Sequence, residues 1–123
     1  MDTIDDLWDL VAILLRVAEL SDSPDFVQEL PLCLSLLQFI DLALAYLTPN
    51  LDRDLSLCLS PLHIIDRALA HLISSLEVLI DFDLLLSSHN VAQARDLLSG
   101  TRCIRRSVLA TRNRVIALLN NGP

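Results

Sequence analysis

"LPLCLSLLQFIDLALAYL" at residues 30–47 and "LSLCLSPLHIIDRALAHL" at residues 55–72 are two versions of one phrase. Extended backwards, they become tandem 25-residue units, 23–47 and 48–72, that agree at thirteen positions. Six of the agreements are Leu, which a chain with thirty Leu supplies cheaply. The other seven (one Pro, one Cys, one Ser, one Ile, one Asp and two Ala) are harder to obtain by chance and point to a duplication.

Within the units Leu37, Ile40, Leu44 and Leu47 correspond to Leu62, Ile65, Leu69 and Leu72. Steps of three, four and three residues return a side chain to one face of an α-helix. In the second unit this seam continues through Leu76 and Leu79. Each unit opens with a hydroxyl residue followed by Pro, Ser23-Pro24 and Thr48-Pro49. That order suits a side-chain cap followed by a first helical position whose N–H is not needed. The repeated phrase therefore reads as a helix start and a packing face. A solenoid needs about three or more such units; no third copy is found, so the expectation is a bundle.

Four helices are expected. The first spans about 3–20, with Thr3 as cap and an apolar face of Ile4, Leu7, Trp8, Val11, Leu14, Leu15 and Ala18. The second runs about 24–47 with a kink at Pro31, and the third from Pro49 to about Leu86 with a break near Pro61. The fourth, the basic C-terminal helix 90–120, has Asn90 as cap and Gly122-Pro123 as its stop. Its seam, Leu97, Thr101, Ile104, Val108, Thr111, Val115 and Leu118, has the alternating four-three spacing of helix-on-helix packing. Short connections favour antiparallel neighbours. The expected fold is an all-α, antiparallel up-down bundle of about four helices, a single domain over 1–123, complete in itself or through dimerisation.

Composition agrees with that class. Hydrophobic residues are 53% of 123, with only two Gly and five aromatic residues, and Leu keeps its rotamers in a helix. The chain has no Lys: all nine basic residues are Arg, for which no folding reason is found. Net charge is −7, but residues 1–94 hold fifteen acids and three Arg, whereas residues 95–123 hold one acid and six Arg. Such asymmetry suggests that the basic helix folds against the acidic body, in cis or in a dimer; the rival use is an anionic partner. An acidic body repels a polyanion over most of its surface, and the basic helix carries no aromatic on which a base could stack. Nucleic acid is thus a disfavoured partner.

Residues 30–51 are apolar over a bilayer's span, with Asp41 as the sole charge. Pro31 and Pro49 interrupt this stretch, and a central Asp costs roughly 3 kcal/mol in a bilayer. A buried core helix is the stronger expectation and a spanning helix the weaker; membrane-surface association through the Arg-rich helix stays open. "MDTIDDLWDL" is acidic and lacks the basic start of a signal peptide. Three widely spaced Cys in apolar surroundings (Cys33, Cys58, Cys103) suit thiols in a reducing compartment, so an intracellular site is expected.

Chemistry-bearing motifs are scarce. His63, His71 and His89 do not combine with the Cys residues in a recognised zinc spacing, so no metal or other cofactor is expected. There is no G-x-S-x-G, phosphate-binding glycine loop or H-E-x-x-H. The expectation is not an enzyme. Asp41 and Asp66 hold one place in the two units, read either as a solvated stripe or as partners for Arg of the last helix. Asp81 and Asp83 lie near a helix C-terminus, where the macrodipole disfavours anions, so an internal pairing with Arg95, Arg102 or Arg106 is expected. Arg95, Arg102, Arg105, Arg106 and Arg112, interleaved with Leu109 and Ile116, are the candidate partner-binding residues: apolar anchors for area and Arg for bidentate recognition.

The stretch "IDFDLLLSSHNVAQARDLLSGTRCIRR" (80–106) resembles the end of a BAG co-chaperone domain, where an Asp-bearing helix leads into an Arg-rich last helix. The resemblance covers about a quarter of the chain and lacks the abundant Lys and Gln of those helices. What it implies is a last helix that docks on a chaperone. The functional expectation is a non-enzymatic interaction, adaptor or regulatory protein that self-associates. A peripheral lipid-binding protein is the alternative, and a small viral-type accessory or nucleic-acid-binding protein the third reading.

Overall fold

A computed structural model describes residues 3–49, 55–81 and 87–121. Within them the chain forms α1 (Thr3–Ser21), a 3-10 turn (Phe26–Glu29), α2 (Leu30–Leu47), α3 (Leu55–Asp81) and α4 (Ser88–Asn121), with no strand among the described residues. The fold is an all-α helical bundle, and the two echoed phrases are α2 and the first two-thirds of α3.

Five of the shared letters are core on both helices. Cys33, Leu37, Ile40, Leu44 and Leu47 on α2 are buried, and so are Cys58, Leu62, Ile65, Leu69 and Leu72 on α3. The α3 seam continues inward through Leu76, as its spacing predicts, while Leu79 packs at the margin. On α4 the seam is buried at Leu97, Thr101, Ile104, Val108 and Val115, half-buried at Thr111 and exposed at Leu118. Its two Thr are satisfied within the helix: Thr101 Oγ1 donates to the Leu97 carbonyl at 2.6 Å and Thr111 Oγ1 to that of Ser107 at 2.9 Å. A threonine can therefore sit in this seam without an orphaned hydroxyl.

Four interfaces build the core: α3 on α4, which is the largest, α1 on α3, α2 on α4, and α1 on α2. Consecutive α2 and α3 barely touch and stand across the bundle from each other. Neighbours in space are thus not always neighbours in sequence, unlike the simple up-down order expected. At one end of the α1–α3 interface Ser21 Oγ donates to Ser75 Oγ at 3.2 Å and His71 lies 2.8 Å from Asp22; at the other, Leu7 and Leu62 line one cavity. These helices run side by side in the same direction. Along α2 and α4, likewise, Leu34 shares a cavity with Leu97, and Arg114 reaches the Thr48 carbonyl at 2.9 Å.

Several expected boundaries move, each for a local reason. Ser23 and Pro24 open a turn and not a helix: the Asp25 N–H donates to Ser23 Oγ at 3.2 Å, and the 3-10 turn follows. Helix α2 starts at Leu30, so Pro31 falls in its first turn and no kink is needed there. Thr48 does not cap the next helix; its hydroxyl donates back to the Leu44 carbonyl at 2.6 Å and closes α2. Helix α3 runs unbroken through Pro61, which is buried. The contacts of Cys58, Leu62 and Ile65 on either side hold the helix against the roughly 3 kcal/mol that an interior Pro costs. Ser87, and not Asn90, caps α4: Ser87 Oγ accepts the Asn90 N–H at 3.2 Å, and the Ser87 carbonyl accepts that of Val91 at 3.0 Å. The expected stop at Gly122-Pro123 lies outside the described residues.

The face of α1 also differs from expectation. Leu7, Leu10, Val11, Leu14 and Val17 are buried, whereas Trp8 and Leu15 are exposed. Packing against both α2 and α3 requires an arc wide enough for two neighbours, and that arc takes in Leu10 and Val17.

Candidate functional site

On the outward face of α2 the repeated phrase keeps Leu32 and Ser35 but changes at residues 39, 42 and 46. Leu32, Phe39, Leu42 and Tyr46 lie on one stripe with Ser35 between them, and are 48%, 54%, 72% and 74% exposed. On α3 the matching positions are Leu57, Ile64, Arg67 and His71. Leu57 is exposed like Leu32, but Ile64 is half-buried, and His71 is engaged with Asp22 of the α1–α2 connection. Exposure of a scattered Leu is ordinary; four large apolar side chains in one row are not. The sequence signal was available in the mismatches of the repeat: Phe against Ile, Leu against Arg, Tyr against His.

Between α2 and α4 the packing is open. Two cavities of about 360 Å³ and 500 Å³ lie along this seam and share Asp41 and Ile104, so together they form one cleft. Its walls are mainly apolar, with Leu34 and Leu37 toward one end and Leu44 and Val108 toward the other. Asp41 and Cys103 contribute polar groups near its middle, and Asp96 one at the end beside Leu97. Cys103 is exposed, in contrast to buried Cys33 and Cys58, and none of the three is in a disulfide. Burial, aided by the nearby Glu29 carboxylate, pushes the Cys33 thiol up from 9.0 to about 11. That thiol is protonated at neutral pH and suited to a core and not to nucleophilic chemistry.

The α3–α4 interface holds the charges. Asp66, only 8% exposed, accepts a hydrogen bond from Arg105 Nε at 2.8 Å and faces Arg112 Nη1 at 3.7 Å. Nearer the other end, Arg102 Nη2 donates to Glu77 Oε1 at 2.9 Å, with both side chains half exposed. The carboxylate of Asp66 is thus packed between two guanidiniums, an arrangement that fixes which face of α4 meets α3.

The residues expected to bind a partner divide accordingly. Arg105 and Arg112 are turned to Asp66, and Arg102 to Glu77. Arg95 and Arg106 are exposed, Leu109 is half-buried and Ile116 is exposed. Arg95, Arg102 and Arg106 border a shallow depression over Leu98 and Ser99. Of the acids expected to pair with this helix, Asp81 is exposed as the last residue of α3 and Asp83 lies outside the described residues. The ion pairs of α4 among the described residues go instead to Glu77 and Asp66, which lie deeper along the interface.

No group of three or more His, Cys, Asp or Glu among the described residues is placed to hold a metal ion. Phe26–Leu47 is long and apolar enough by length and composition to cross a membrane, and a third of its most apolar window is buried in the bundle. Neither a family model, nor a curated protein, nor a solved structure matches this chain, and the resemblance of residues 80–106 to a BAG domain gains no support from those comparisons.

Proposed function

We propose that this chain is a non-enzymatic, intracellular interaction protein that self-associates through the outward stripe of α2. The observation that carries the reading is the asymmetry between two helices written with one phrase. Both bury the same five shared letters in the core, yet α2 turns Phe39, Leu42 and Tyr46 to solvent where α3 has half-buried Ile64 and the polar Arg67 and His71. A duplication followed by divergence of the outer face accounts for that pattern.

The stripe holds no charge, so a second copy meets no repulsion across its centre. The flanks of α2 carry Glu29 and Asp41 and no basic residue, which weighs against an anionic membrane or nucleic acid on this face. Acidic body and basic α4 then act mainly within one molecule, where the pairs on Asp66 and Glu77 set the helix register.

The second reading is a peripheral lipid-binding protein, favoured by the apolar length of Phe26–Leu47. Light scattering at low and high salt separates the two. A dimer mass that persists in high salt supports apolar self-association; a monomer at all concentrations, with co-sedimentation on liposomes, supports the lipid reading.

A further inference from the structure

Asp41 and Asp66 occupy the same place in the repeated phrase, and each stands on the side of its helix that meets α4. Their surroundings are opposite. On α3 the carboxylate is closed over by Arg105 and Arg112. On α2 the facing stretch of α4 offers Gly100, Cys103, Ile104 and Ser107, none of them a cation. Arg114, farther along the cleft, donates instead to the Thr48 carbonyl. Among the described residues Asp41 has no ion pair, and Asp96, at the Leu97 end of the same cleft, has none. Gly100 keeps the α4 wall low, since a Cβ there would meet nothing within 4 Å.

We propose that the α2–α4 cleft docks an amphipathic helix of another protein, whose apolar ridge fills the cleft and whose arginine supplies Asp41 with the counterion that Asp66 finds in α4. Three features of the cleft choose this occupant. The lining from Leu34 to Thr48 extends about 21 Å along α2, the length of about four helical turns. Its apolar walls suit side chains presented at helical spacing, the usual form of helix-in-groove recognition. The Asp41 carboxylate at the middle of the cleft favours a cation there, Asp96 at one end adds to the repulsion of phosphate, and a guanidinium fork matches a carboxylate better than a compact ammonium does. The site is on a different flank of α2 from the self-association stripe and does not depend on it.

The test uses the full chain and a designed helical probe of about sixteen residues, with a leucine ridge at i, i+3, i+4 and i+7 spacing and one central arginine. A second probe carries Gln in place of that arginine. Affinity is read by fluorescence anisotropy, and occupancy by the rate at which a thiol reagent modifies Cys103, the one exposed Cys. The arginine probe should bind about tenfold or more tightly than the glutamine probe. Asp41→Asn should erase that difference while the exposed control Asp9→Asn preserves it, with circular dichroism unchanged in both. The arginine probe should also slow modification of Cys103.

Equal affinity for the two probes, discrimination that survives Asp41→Asn, or no binding at millimolar probe each overturns the proposal. Protection of Cys103 that rises with protein concentration alone would make a second copy the occupant and overturn it too. The two probe affinities and the effect of Asp41→Asn are read independently of the molar mass, so failure here and failure of self-association through the α2 stripe are told apart.

Discussion

Replacing Asp66 by Asn removes the charge that two guanidiniums of α4 share, and the size of the loss follows from the geometry. If both arginines stayed buried, breaking such a pair would cost about 3–5 kcal/mol. Here the Arg105 and Arg112 side chains are 38% and 29% exposed, so each freed guanidinium recovers part of its hydration. Asn also keeps one oxygen for the 2.8 Å bond from Arg105 Nε, although a neutral acceptor is weaker. The expected cost is about 1.5–3 kcal/mol, which for a domain of this size lowers Tm by about 5–12 °C. The internal control is Asp41→Asn, the same letter of the repeated phrase on α2, where the carboxylate is exposed. It should cost under about 0.5 kcal/mol. Urea unfolding of the two variants, with Arg105→Gln added to close a double-mutant cycle, reads both values. If Asp66→Asn stays within about 0.5 kcal/mol of the parent, or if the two substitutions cost the same, the assignment of Asp66 as the charge that fixes α4 on α3 is wrong.

Other consequences are checked in the same way. Leu69→Ala, at a fully buried position of the α3 seam, should destabilise by about 2–5 kcal/mol in urea titration, and Leu42→Ala, at a solvent-facing position of α2, by far less. Gly100→Ala should stabilise by about 0.5–1 kcal/mol in thermal melts, because the added methyl meets open space in a helix interior. Cys33, with its thiol pushed up from 9.0 to about 11, contributes stability that is full below pH 9 and lost as the pH rises through 11. Unfolding at pH 8 and pH 11 should therefore differ by up to about 2–3 kcal/mol more in the parent than in Cys33→Ala. A thiol reagent should titrate Cys103 in the native protein, and Cys33 and Cys58 only after denaturant is added.

The core was legible wherever a helical period ran through residues with one environment. Leu37, Ile40, Leu44 and Leu47 and their partners on α3 are buried as their spacing requires. What was not legible came from choices made by neighbours. The face of α1 turned to bury Leu10 and Val17 in place of Trp8 and Leu15, because two flanking helices, and not one, define its inner arc. Pro31 and Pro61 look alike in sequence, yet one begins a helix and the other is carried inside one, a difference decided by where the preceding backbone already turns. Hydroxyl caps were misplaced for a related reason. Ser and Thr can bond forward to open a helix or back to close one, and Thr48 bonds back.

The candidate site was half legible. Reading Asp66 as a partner for α4 agrees with the geometry, while its twin Asp41 keeps the solvated state that was the other reading. The arginines expected to meet a partner lie on α4, but charge alone could not tell that three of them turn toward Asp66 and Glu77. The outward stripe of α2 was hidden because the buried letters that the two phrases share dominate the pattern, while its distinctive residues, Phe39, Leu42 and Tyr46, fall where the phrases differ.

The most direct test of the account gives α2 the outer letters of α3, with Phe39→Ile, Leu42→Arg and Tyr46→His in one chain, and measures molar mass by light scattering across a concentration series. The parent should run as a dimer and the grafted chain as a helical monomer of unchanged far-ultraviolet circular dichroism. A parent that is monomeric throughout, or a grafted chain that keeps the parent's mass, contradicts the claim that the two copies of the phrase diverged to build one interface.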